Sequence, residues 1–265
     1  MRIIVCIKQV PDTSTEVVMD KERGTLVREK MPAVINPFDT YAIEEAIRLK
    51  ERLGDDVHTI GISMGPPQAE DALREAIAMG LDEAVLLSSR DFAGADTLAT
   101  SKTLAWGIKK LGFDLILCGK QASDGDTAQV GPGIAEWLDI PQVTFIRKIV
   151  EIDDKHAVVE RMTETGYEVL ETPLPTLLTV VKEINEPRLP SLRGKLRAKK
   201  IEIPVYGPKE LGLNPDEVGL KGSPTQVIKI FTPEIKRHGE IVHGEPEELA
   251  QKFVEFIKSR QLLLK

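Results

Sequence analysis

The sequence predicts an α/β fold: a mostly parallel sheet covered by helices on both faces, an antiparallel or mixed edge, and an extended C-terminal arm. Three observations predict it. Residues 2–150 alternate short apolar runs with helical periodicity, residues 143–182 hold strand-like runs joined by short polar turns, and regular patterning stops at Asn185.

The chain's 265 residues can form one large domain with an extension, or two small domains. A net charge of -7 argues against general nucleic-acid binding. No apolar run approaches the roughly 18–20 residues that span a bilayer, so no transmembrane segment is expected. The chain passes from Arg2 straight into a strand-like run without signal-peptide architecture, which places the protein in the cytoplasm. The two cysteines, Cys6 and Cys118, lie in separate apolar runs and are expected as buried thiols at strand ends. The histidines show no metal-binding spacing, and no metal site is expected.

Strands are expected near Ile3–Ile7, Val57–Ser63, Ala84–Leu87 and Leu115–Cys118. Between them, a helix from about Pro37 to Leu53 places Ala42, Ile43, Ala46, Ile47 and Leu49 on one face. Asn36 supplies its N-cap, Pro37 its first position, and Asp39 a first-turn charge that suits the dipole. A second helix runs from about Gln68 to Met79 and stops at Gly80; a third begins near Asp96-Thr97 and stops at Gly112. The runs Val143–Ile152, Ala157–Met162, Tyr167–Leu170 and Pro175–Lys182 supply the antiparallel or mixed edge. A terminal amphipathic helix is expected from about Pro246 to Ile257.

Small or polar residues gather where strand gives way to helix: Met64-Gly65-Pro66, Phe92-Ala-Gly-Ala-Asp-Thr97, and Gly119-Lys-Gln-Ala-Ser-Asp-Gly-Asp-Thr-Ala-Gln-Val-Gly-Pro132. In an open parallel sheet these turns share the carboxyl edge, where ligands bind. The third is the most informative, because it links a buried-strand run to a helix ending near Leu138. The first N–H groups of a helix have no partner inside it and attract anions. The segment matches neither the triphosphatase loop nor the ordinary dinucleotide fingerprint. Taken by itself, it fits a nucleotide phosphate cradle and a capped turn equally.

From Arg188 to Lys200 the chain carries six basic residues and no acidic one, with Leu189, Leu192 and Leu196 interspersed. One reading packs the leucines on the parent domain. The other makes them apolar anchors ringed by the cations of Arg193 and Lys195, suited to a partner with an acidic rim.

In order and spacing, several of these segments resemble the β subunit of electron transfer flavoproteins: Ile-Val-Cys-Ile-Lys-Gln-Val-Pro-Asp-Thr13, Asn36-Pro-Phe-Asp39, Ser63-Met-Gly-Pro66, the Gly119 to Pro132 loop, Asn185-Glu-Pro-Arg188 and Leu196-Arg-Ala-Lys-Lys200. The resemblance implies a Rossmann-like three-layer domain over residues 1–184 that binds FAD or AMP. It implies a partner-recognition loop and C-terminal arm over residues 185–265, packing on an obligate α subunit that carries a second FAD.

The resemblance assigns nucleotide contacts to Cys6, Asn36, Pro37, Phe38, Asp39, Met64, Asp96 and Thr97. From the loop it adds Ala122, Ser123, Asp124, Gly125, Asp126, Thr127, Ala128, Gln129, Val130 and Gly131. Backbone N–H groups near Thr127 to Val130 would hold phosphates. Asp124 and Asp126 would cap the loop or accept ribose hydroxyls, a magnesium-binding pair being the other reading. Docking falls to Leu189, Leu192, Arg193, Lys195 and Leu196, with Leu192 the anchor in a partner dehydrogenase.

Within the family, the version Thr127-Ala-Gln-Val-Gly-Pro132 is similar to members that hold FAD in this subunit and bifurcate electrons from NADH. Simple shuttles hold AMP there instead. The implied reaction moves hydride from NADH to FAD, one electron then going to ferredoxin or flavodoxin. The other passes through the α-subunit flavin to an acyl-CoA dehydrogenase or quinone reductase. No catalytic side chain is expected, and any NADH-oxidising activity belongs to the complex with the α subunit. A nucleotide-binding regulatory module without redox chemistry is the alternative from another class.

Overall fold

The computed structural model describes residues 1–12, 19–20, 25–26, 33–228, 239 and 241–260. Thr13, which closes the first motif, lies outside them. The chain divides into two units, Met1–Ile228 and Lys229–Lys265.

The first unit begins with β1 (Arg2–Cys6), β2 (Gln9–Pro11), β3 (Met19–Asp20), β4 (Thr25–Leu26) and β5 (Ala33–Ile35). It continues through α1 (Pro37–Leu53), β6 (His58–Met64), α2 (Glu70–Met79), β7 (Glu83–Leu87), α3 (Thr97–Leu111), β8 (Leu115–Gly119) and α4 (Val130–Leu138). Then come β9 (Gln142–Ile152), β10 (His156–Met162), β11 (Tyr167–Pro173), β12 (Thr176–Val180), α5 (Leu192–Ala198), β13 (Val205–Tyr206) and α6 (Pro208–Leu211). The main sheet has nine strands in the order β11-β10-β9-β12-β8-β1-β6-β7-β13. Pairing is parallel from β9 to β13, while β9, β10 and β11 pair antiparallel as the edge. This is the expected mostly parallel α/β architecture with a mixed edge.

Alternation along β1 explains the three layers. Ile3 and Val5 enter an apolar cluster with α1 and α2, whereas Ile4 and Cys6 enter a second cluster with α3 and α4. Ile3, Ile4 and Val5 are completely buried, and a fully buried side chain of this size contributes about 1.5–3 kcal/mol. Helix α1 buries Ala42, Ile43, Ala46, Ile47 and Leu49, the face its periodicity predicts, and stops at Gly54 with φ +98°. Asn36 occupies the N-cap position, but its side chain makes no cap bond, contrary to the sequence reading. Its amide is engaged elsewhere, as the site geometry shows.

The basic segment holds more structure than its loss of periodicity predicts. Residues 192–198 form α5, and Val205 and Tyr206 pair with Leu86 and Leu87 to extend the sheet. A seven-residue helix is too short to repeat an apolar pattern. In the second unit, α7 (Pro246–Ser259) is an amphipathic helix with no buried residue. Among the described residues no helix is long and apolar enough to cross a membrane.

Candidate nucleotide-binding site at the switch point of the sheet

From β1 the chain crosses by α1 to β6 on one side, and later enters β8 on the other. The carboxyl ends of β1 and β8 therefore border the crevice where strand order reverses. Cys6 and Cys118 are register partners there, both nearly buried. A hydrogen bond with Cys6, together with burial, pushes the Cys118 thiol well above its usual range, so it stays protonated. Met64 ends β6, the other neighbour of β1.

Asn36 and Asp39 tie three segments together at this edge. The Asn36 amide donates to Asp39 Oδ1 at 2.9 Å and to the Gln121 carbonyl at 2.8 Å, while its Oδ1 accepts the Ser123 N–H at 3.1 Å. Asp39 accepts the Lys8 N–H at 2.7 Å, just past β1, and the Gly119 N–H at the end of β8. Burial pushes its carboxyl up to about 7, against the pull of these bonds from Lys8, Asn36 and Gly119. Both polar side chains are buried and spent on protein partners, so they shape the cradle. Pro37 opens α1, and the Phe38 ring lies 5.0 Å beneath the Lys120 ammonium.

The loop itself closes on the Ala122 carbonyl, which accepts the Asp126 N–H at 2.9 Å. Asp124 pairs with Lys8 at 2.5 Å and Asp126 accepts from Gln121, so each carboxylate has a loop-bracing partner. Asp126 and Ala128 both have φ +54°, a left-handed conformation that curls the chain before α4. Gln129, the N-cap of α4, makes no side-chain cap bond. The N–H groups of the first turn, around Val130 and Gly131, thus have no side-chain cap, and Thr127 and Gln129 beside them are exposed. A β-carbon on Gly131 would come 2.7 Å from Thr179 Cγ2, so only glycine lets α4 sit against β12. A β-carbon on Gly125 would meet nothing within 4 Å, leaving room above the loop.

Asp96 and Thr97 stand at the start of α3, and the contacts of Asp96 lead away from this loop. Its carboxylate accepts the Ala99 N–H at 3.1 Å and both the N–H and the hydroxyl of Thr225. Burial raises its pKa, but these bonds outweigh it and hold the group below its ordinary value. Leu189, Leu192 and Leu196 are 90%, 77% and 55% exposed, so they do not pack on the parent domain. Arg193 and Lys195 are exposed among them.

A protein-family model described as an electron transfer flavoprotein domain matches residues 23–211. An electron transfer flavoprotein subunit beta of Thermoanaerobacterium thermosaccharolyticum is 53% identical over 264 residues, covering 99% of this chain and 100% of the relative. Another, from Clostridium acetobutylicum, is 50% identical over 263 residues, with 99% and 100% covered. This chain belongs to the electron transfer flavoprotein family, as a β subunit.

A caffeyl-CoA reductase–Etf complex subunit of Acetobacterium woodii is 50% identical over 266 residues, covering 99% of this chain and 100% of that one. Electron transfer flavoprotein β subunits pair with an α subunit, so the cradle described above is one part of a larger assembly. Sequence reasoning passed over Lys8 and Gln121 as site residues of this β subunit, although each lies in a quoted motif. A lysine two residues past β1 and a glutamine two residues past β8 are signals only once those strands are known to be neighbours.

Proposed function

We propose that this electron transfer flavoprotein β subunit holds FAD at the switch-point cradle and works in a bifurcating complex with its α subunit. The observation that carries the nucleotide reading is the uncapped start of α4 beneath an accessible loop at the β1–β8 crevice. The backbone from Thr127 to Gly131 would hold the diphosphate, where the helix dipole favours negative charge. Lys8 and Gln121 support this by engaging Asp124 and Asp126, which would otherwise repel phosphate. Main chain at Cys6 and Met64 would frame the adenine, and the Asn36–Asp39 hub fixes the distance between these walls. FAD in preference to AMP rests on the Thr127 to Pro132 pattern and its likeness to bifurcating members.

When bound, the flavin would supply hydride acceptance from NADH and onward electron delivery to ferredoxin or flavodoxin and, through the α subunit, to a higher-potential acceptor. The chain's own residues bind, orient and shield it, and none needs to move a proton. Leu189, Leu192 and Leu196, with Arg193 and Lys195, would dock the high-potential acceptor, an acyl-CoA dehydrogenase or quinone reductase. Residues 185–265 would serve as the recognition and α-subunit-packing arm.

The test is to co-express the chain with its α partner, denature the purified heterodimer and quantify released nucleotides. Two FAD per heterodimer is the expected result. One FAD with one AMP would make the protein a simple shuttle, and no nucleotide from this subunit would overturn the cradle as a nucleotide site.

A further inference from the structure

Helices α2 and α5 close one another's ends through reciprocal arginines. Arg197, on α5, donates to the carbonyl oxygens of Ile77 at 2.8 Å and of Leu81, at the C-terminal end of α2. Arg74, on α2, donates to the carbonyls of Ala198 at 2.6 Å and Ile201 at 3.3 Å, at the C-terminal end of α5. Terminal carbonyls lack partners inside their helix and carry its negative end, so each guanidinium satisfies oxygen atoms and dipole together. Glu70 holds Arg74 in place at 2.5 Å.

Between the two arginines the backbones touch. A β-carbon on Gly194 would overlap the Ala78 carbonyl oxygen and come 2.9 Å from its carbon. Ser191 caps α5 by accepting the Gly194 N–H at 2.9 Å. At the segment's start, Arg188 is held by Glu44 and Glu51.

A helix of this length has no stability of its own in water. The direction in which it presents Leu192 and Leu196, four residues apart on one face, is therefore set by these anchors. We propose that Arg74, Gly194 and Arg197 are positioning residues for acceptor docking, holding α5 in its docking conformation before the partner arrives. A preordered α5 spares the complex the entropy loss of fixing it at encounter. The inference rests on the docking role proposed for the leucines.

The experiment compares heterodimers carrying Arg197→Ala, Gly194→Ala or Leu192→Ala with the wild type. The acceptor is an acyl-CoA dehydrogenase, the class of partner for which Leu192 is the expected anchor. Expected for Arg197→Ala and Gly194→Ala is a KM for acceptor raised about tenfold with kcat retained. Hydrogen exchange at the α5 amides should accelerate, while flavin content and NADH-dependent flavin reduction stay unchanged. Leu192→Ala should raise the same KM without altering α5 exchange. Faster exchange with an unchanged KM in the arginine and glycine variants, while Leu192→Ala still raises it, would overturn the positioning role alone. An unchanged KM in Leu192→Ala would overturn the docking reading and this inference with it.

Discussion

Gly119, the last residue of β8, lies against Asp39 of α1 so closely that a β-carbon on it would come 2.8 Å from the Asp39 backbone nitrogen. The same atom would lie 2.6 Å from the Phe38 carbonyl carbon. Contact between a strand end and a helix start brings the loop at residue 120 onto the Asn36 amide. The cradle depends on this approach.

Gly119→Ala should therefore force α1 and β8 apart and lower stability by about 1–3 kcal/mol, the usual range for overpacking. Urea unfolding of the heterodimer checks this, and a variant as stable as wild type would show that the edge can relax around the added methyl.

Asn36→Ala removes three hydrogen bonds and leaves the Ser123 N–H and the Asp39 carboxyl short of partners. Stability should fall by about 1–3 kcal/mol, with nucleotide retained less well because the loop loses its tether. Released nucleotide per heterodimer is the deciding number; full retention would remove the tether from the account.

Gly125→Val separates binding from folding. The position has open space around it and no positive φ, so the melting temperature of nucleotide-free protein should stay within about 1–2 °C of wild type. Nucleotide occupancy should drop, since the side chain would fill space above the loop. Unchanged occupancy would sink the loop assignment.

Asp39 should make stability fall as pH rises. Its pKa stands at about 7 in the folded chain against an ordinary 3.8, so the folded state binds more protons between those values. Its contribution is thus present below about pH 4 and lost as pH approaches 7. Urea midpoints of wild type and Asp39→Asn, compared at several pH values, should shift to the wild type's disadvantage across that window. A constant difference would mean that Asp39 does not titrate there.

Arg188→Ala tests the opposite sign. Burial raises the Glu44 pKa, but hydrogen bonds from Arg188 and Arg48 outweigh it and hold the carboxyl below its ordinary 4.5. The stability gained is present above about pH 4.5 and lost as pH falls through the folded value. The Glu44 side chain is only 3% exposed, so losing Arg188 should cost about 2 kcal/mol near pH 7 and less near pH 4. An equal cost at both values would assign the effect to lost packing.

The sequence by itself determined the layers and most of the helices. Strand alternation at Ile3, Ile4 and Val5, the apolar face of Ala42 to Leu49, and stop residues such as Gly80 and Gly112 act over a few neighbours, and local pattern is what a sequence displays. It also marked the Gly119 to Pro132 loop, because small residues between strand and helix are a local signal too. Only the tertiary structure decided that Cys6 sits beside Cys118, and that Asn36 serves Gln121 and Ser123 instead of capping its own helix. Likewise, Asp96 turns to Thr225, and Arg197 closes the end of α2. Each of these joins residues tens of positions or more apart. Burial leaves such polar groups only the partners the fold brings near, and composition and spacing carry no record of which those will be.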